Sequence, residues 1–498
     1  MFRKFTIVAL AAAVVATPLP VLAQGKKDSV VMAMALEPPG LDPTTAAAAA
    51  IAEVTLYNVY ETLTKINEDS SVSPLLAESW QASPDLKTYT FKLRKGVKFQ
   101  NGEPFDSAAV KFSFERNAAA NSTNKDKSLF QSFESVTAPD ADTVVIALKY
   151  SEPNLPFLMG QATAAIVEPK SAPTNATQPV GTGPYQLGAW AKGSSITLNK
   201  WADYRNASAI KLNKVTIRFI SDPAAQVAAL LSGDVDAFPR VAAARSLAQF
   251  KADPRFNVQI GGSKAKTIVA INERHKPLDD VRVRRAILAA IDRKAMIDGA
   301  VDGFGTPIGS FYVPGSLGYV DTTGINPYDP EKAKKLLAEA GVTTPLELSL
   351  KLPPPSYARQ GGEVLAAQLA KVGINAKIEN VEWAQWLSQT FTPSGPHNYD
   401  LTIVSHVEPF DLVKMTESDY YFGYKSDAFN ALYKSIVTTP DEAGRAKLLG
   451  DAQRMLATDA VAGFLFQPQL ITITNKKLKG VWKDVPQFEN DFSTWSWE

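Results

Sequence analysis

The chain has 498 residues, with 52 Lys and Arg against 51 Asp and Glu, so no basic excess exists to recruit nucleic acid or an anionic membrane surface. It contains no cysteine, which excludes disulfides, thiolate metal sites and cysteine nucleophiles together. Its length exceeds what one hydrophobic core serves, so two or three domains are expected.

Residues 1–23 carry Arg3 and Lys4, then an apolar stretch from Phe5 to Ala16, then a proline-broken segment ending Val21-Leu22-Ala23. These are the three parts of a secretory signal peptide, with a cut expected before Gln24. The apolar core is shorter than the roughly 20 residues a membrane helix needs. An uncleaved N-terminal anchor is the other reading. Beyond it, the alanine run Ala46 to Ala50 is too short to count as low complexity.

In Tyr89 to Arg94, apolar Tyr89, Phe91 and Leu93 alternate with Thr90, Lys92 and Arg94, the period of a strand buried on one face. Asn101-Gly102 suits a tight hairpin turn, and Asp106 then caps a helix. Val215 to Ile220 reads as a strand, Asp222-Pro223 as a helix start and Gly233 as its end, with Val235 to Phe238 as the next strand. A helix is predicted from Val281 to Asp298 behind Asp280, and another opens at Asp329-Pro330-Glu331 and closes at Gly341. Thr439-Pro440-Asp441-Glu442 reads as a capping box. This alternation argues for mixed α/β layers. His275, His397 and His406 lie far apart without metal-ligand spacing, and neither a metal nor a cofactor is expected.

Several short blocks then point the same way. Ser73 to Trp80 leads into Tyr89 to Phe99, and Gly181-Thr182-Gly183-Pro184-Tyr185, Leu230 to Asp236, Pro277 to Ala286 with Asp292-Arg293, Tyr328 to Ala333, Gly373-Ile374-Asn375 and Tyr399-Asp400-Leu401 follow in order. Together they resemble the extracytoplasmic solute-binding proteins, family 5, which serve peptide and nickel type ABC importers. The resemblance implies an α/β, periplasmic-binding-protein-like fold of class II, the peptide-binding type, with two hinged lobes and an inserted small domain. On that template residues 24–65, 178–267 and 477–498 form lobe I, 66–177 the inserted domain and 268–476 lobe II. A small, peptide-like solute would sit between the lobes, and an inner-membrane ABC permease would receive it. Without a cysteine to acylate, the protein is expected to be a free periplasmic monomer rather than a lipoprotein.

Candidate ligand contacts cluster after the strand Leu401-Thr402-Ile403-Val404, in Ser405, His406, Glu408 and Asp411. Peptide-binding relatives place an aspartate about three positions before an acid-proline pair, where this chain has Ser405, so Glu408 or Asp411 would replace that ammonium partner. The arginine that dipeptide binders carry before the helix near Tyr357 is also missing from Leu352-Pro353-Pro354-Pro355-Ser356. A longer peptide or another solute, such as an opine, an oligosaccharide or a metal chelate, is therefore favoured over a free dipeptide. Trp383, Trp386 and Tyr420 offer flat walls if they face the cleft, with core packing as the alternative. His406 beside Glu408 suggests acid–base work, but no Gly-x-Ser-x-Gly accompanies it and no enzyme activity is expected. A secreted hydrolase and a sensory binding protein are the readings from other classes.

Overall fold

The computed structural model describes residues 27–439 and 441–498, so the expected signal segment lies outside the described residues. Two large sheets dominate. In the first, of seven strands, the order is Phe256–Gly261, Leu470–Asn475, Ala237–Phe238, Ser29–Met34, Lys214–Phe219, Ser195–Lys200 and Tyr185–Ala191. Ser29–Met34 runs parallel to Lys214–Phe219, with Ser29 opposite Lys214 and Met34 opposite Phe219. In the second, of six strands, the order is Gly305–Pro307, Ala462–Pro468, Lys266–Ile271, Leu401–His406, Leu346–Leu352 and Ile374–Asn380. Every residue of Lys266–Ile271 is buried, as a central strand covered on both faces requires.

A four-stranded antiparallel sheet, in the order Ala77–Ala82, Thr88–Leu93, Thr143–Leu148, Phe133–Asp140, builds a separate core with Phe99, Phe114 and Phe130. Tyr89, Phe91 and Leu93 point into that core, as their alternation predicts. Gly102 has φ +88° and its amide reaches the Phe99 carbonyl at 2.8 Å. The turn closes only the isolated bridge between Lys98 and Pro104, not a hairpin of the sheet.

Among the described residues the chain passes between the two large sheets twice. It leaves the first at Gly261 and enters the second at Lys266, then returns between Pro468 and Leu470. Both changes precede the divisions expected after 267 and 476, so Leu470–Asn475 belongs to the first sheet. Gly261-Gly262-Ser263 and Pro468 mark the strand ends at these crossings, but nothing local says that the next strand joins the other sheet. At the first crossing the Gly262 amide donates to Asp484 Oδ1 at 2.7 Å, and a Cβ on Gly261 would lie 1.7 Å from the Lys483 carbonyl oxygen.

The helix starts follow local chemistry. Asp106, Asp222, Asp280 and Asp329 each accept a hydrogen bond from an amide of the first turn. Two expectations need correction. The span Val281 to Asp298 is two helices, Val281–Ala289 and Arg293–Val301, because Asp292 turns the chain and caps the second through the amides of Lys294 and Ala295. The helix Glu442–Thr458 is capped by Asp441, which accepts from the Gly444 amide at 2.6 Å, while Thr439 ends the preceding helix.

Candidate ligand cleft

The strand Leu401–His406 lies beside the crossing strand, with Lys266 opposite His406 and Thr267 opposite Ser405. Its C-terminal end therefore delivers residues 407–416 to the place where the two sheets and the four-stranded unit meet. Three cavities follow one another along that seam, of about 470, 510 and 540 Å³ including the solvent at their mouths. The first and second share Asp126, Gln161 and Glu408. The second and third share Glu152, Phe410 and Tyr433. Walls come from both sides: Ala46 to Ala49 and Phe488 from the first lobe, Lys125 and Tyr150 from the inserted unit, Lys414 and Arg445 from the second lobe. A larger hollow of about 850 Å³ lies away from this seam, between the 96–102 turn and residues 201–205.

Charged contacts cross the seam. Lys125 of the inserted unit meets the Glu408 carboxylate, and Lys414 Nζ donates to Ser128 Oγ at 3.0 Å. Phe157 and Phe410 meet edge to face, with centroids 5.0 Å apart. Behind them Lys266, whose side chain is 1% exposed, donates from Nζ to Asp411 Oδ1 at 2.6 Å and to the Glu408 carbonyl oxygen. Its ammonium also lies 4.4 Å from the centre of the Phe311 ring.

These pairings set the protonation states. Burial alone would raise the Glu408 carboxyl, but Lys125, with His406 and Lys266, overrides it and lowers the group to about 2. Burial and the Glu408 charge raise Asp411 to about 6, which Lys266 only partly offsets. Burial and Lys266 lower His406 to about 3, so the ring is neutral at pH 7. Its Nε2 pairs with the Tyr421 hydroxyl at 2.7 Å among Phe311, Phe391 and Tyr420. A buried neutral ring so enclosed has no route to a substrate proton. One donor atom from each of His406, Glu408 and Asp411 lies within 4.8 Å of the others, a spacing a cation can use. The set does not fit a metal, because Lys125, Lys266 and the Val407 amide already take three of its four carboxylate oxygens and leave Asp411 Oδ2 as the one unpartnered oxygen.

Of the residues singled out in the sequence, Glu408 and Asp411 line the cavities. Ser405 lies one step back: its amide donates to the Tyr357 hydroxyl at 3.1 Å and its Oγ accepts from Thr267 Oγ1 at 3.3 Å. Trp386 and Tyr420 sit in the second lobe's core, with Trp383 packed against it, and His406 is buried beside Phe391 and Tyr420. Trp386 Nε1 donates to Thr402 Oγ1 at 2.9 Å, and Trp383 abuts its ring edge. None of these five lines the three cavities. Lys125, Asp126, Glu152, Tyr150 and Tyr433 also line the cavities, and no motif in the sequence marks them. The alanine run had a visible signal, since small side chains leave room for a cavity wall.

Residues 71–410 match the model for the bacterial extracellular solute-binding proteins, family 5 middle region. Over 344 residues the chain is 31% identical to the glutathione-binding protein GsiB of Salmonella choleraesuis, a match covering 67% of this chain and 66% of that protein. The chain thus matches slightly under two thirds of the curated relative's length. Among solved structures, the A. tumefaciens protein AgaA in complex with agropinic acid superposes with TM-score 0.87 at 26% identity, covering 94% of this chain and 99% of that one. Helicobacter pylori DppA in complex with the peptide STSA gives 0.86 at 25%, covering 95% and 98%. The Escherichia coli murein tripeptide binding protein MppA gives 0.86 at 21%, covering 95% and 98%, a likeness of fold. The architecture is the class II periplasmic-binding fold expected from the sequence, and the chain belongs to the bacterial extracellular solute-binding proteins of family 5.

Proposed function

We propose that this chain is the substrate-binding component of an ABC importer, capturing a peptide or peptide-like solute in the seam and delivering it to an inner-membrane permease. The observation that carries the reading is the row of three cavities whose walls come from both sides of the two chain crossings. A solute touching both walls binds the closed form more strongly than the open one, so its differential affinity sets the closed population. On this reading the crossings at 262–265 and at Gln469 are the hinges. The described residues contain no helix long and apolar enough to cross a membrane. We read the exported protein as a monomer, cleaved after Ala23 and free in the periplasm. The names of GsiB and DppA support a peptide-like solute, and the agropinic acid complex of AgaA keeps an opine as the second reading.

Native mass spectrometry of the protein purified from its own periplasm tests this directly. One retained small molecule per chain, released unchanged on unfolding, is expected. Steady turnover of that molecule by the purified protein would contradict the reading.

A further inference from the structure

Buried polar atoms nearly always have a partner, and one that lacks it calls for an explanation. Asp411 is such a case. Its side chain is 6% exposed, Oδ1 is taken by Lys266, and Oδ2 has no hydrogen-bond partner. The neutral His406 ring has its Nδ1 3.9 Å away, beyond hydrogen-bond reach. Asp411 lines the middle cavity, whereas Glu408 beside it is already paired with Lys125.

The charges around this chamber are unbalanced in the same sense. Asp126, Glu152, Glu408 and Asp411 line it against Lys414 alone. Behind them stand Lys125, Lys266 and Arg445, with Glu417 behind Lys414. Five acids, Glu152 among them raised by burial, thus stand in and behind the wall with four bases, which leaves room for one more cation. Phe410, Tyr150 and Tyr433 supply ring surface along which an aliphatic stem can lie.

Position decides which part of the solute this is. The seam continues on one side through Glu408 and Gln161, and on the other through Phe410 and Tyr433. We propose that the middle chamber is a subsite for a positively charged side chain in the interior of the solute, read by the free oxygen of Asp411. The inference rests on the cleft reading above and deepens it from a peptide-like solute to one with a basic residue flanked on both sides. A site that hydrogen-bonds a charged group rejects the analogue lacking it, because its own buried acceptor is then left unpaired.

The test is calorimetry on the full chain stripped of solute, with Ala-Lys-Ala against Ala-norleucine-Ala, each with a free and an acetylated N-terminus. The lysine peptide is expected to bind at least about tenfold more tightly in both forms, and Asp411→Asn to bring it toward the norleucine peptide. A melting curve establishes that the variant folds, and the comparison on the unaltered chain stands without it. Equal affinities, or a lysine advantage that survives Asp411→Asn, overturn the inference and leave the cleft reading standing. An advantage that vanishes on acetylation also overturns it, assigning the chamber to a terminal ammonium. Absence of binding by all four peptides overturns the peptide reading itself, and this inference with it.

Discussion

Lys266 is the first residue of the crossing strand, and its ammonium is held in the interior by Asp411 and the Glu408 carbonyl. Removing one member of a buried ion pair leaves the other charge unpaired, which costs about 3–5 kcal/mol. Lys266→Met should therefore lower unfolding stability in urea by that amount, and adding Asp411→Leu should recover much of it. A loss below about 1 kcal/mol in the single variant would show that Asp411 finds another partner. At this scale the sequence is informative only where chemistry is local. Glu408 and Asp411 were visible as acids beside a proline at the end of an apolar strand. Lys125 was not, because it lies 283 residues from Glu408 and nothing around it marks a lysine that closes a seam. Trp386 and Tyr420 were ambiguous for the opposite reason, since an aromatic ring serves a cavity wall and a core equally well.

Among the elements, the block Gly181 to Tyr185 acquires a physical role. It lies where the chain returns from the four-stranded unit, against the segment Asn58 to Tyr60 from which it departs. The Gly183 amide donates to the Val59 carbonyl and the Tyr185 amide to the Asn58 carbonyl, both at 2.9 Å. A Cβ on Gly183 would lie 2.3 Å from the Asn58 oxygen, and one on Gly181 would lie 1.9 Å from that of Val59. Gly183→Ala should cost about 1–3 kcal/mol, in the range of overpacked sites. Gly324→Ala, where a Cβ meets nothing within 4 Å, should stay within about 0.5 kcal/mol. Chemical denaturation of the two variants side by side checks this, and equal losses would contradict it. The elements themselves were legible where a cap marks the start, as at Asp222 and Asp329. Reading failed where an apolar stripe spans a break: Val281 to Asp298 keeps its period through the turn at Asp292, so pattern alone joins two helices.

For the whole molecule, the two-sheet architecture could be anticipated because the ordered blocks resemble a family, not because composition requires it. The points of changeover were less legible, since Gly261-Gly262 and Pro468 mark strand ends without saying which sheet the next strand joins. The seam contacts between Lys125 and Glu408, Lys414 and Ser128, and Phe157 and Phe410 show how the inserted unit meets the second lobe when the two are together. On our account they are made and broken as the solute comes and goes. Because the chain has no cysteine, two introduced ones can be labelled without background. The most direct measurement places spin labels at Asn121→Cys and Lys425→Cys, both exposed in the native chain, and records their distance distribution in the solute-stripped protein and after adding a casein digest. A broad distribution that becomes shorter and narrower on addition is the predicted result. One narrow distance, the same in both states, would contradict closure around a solute.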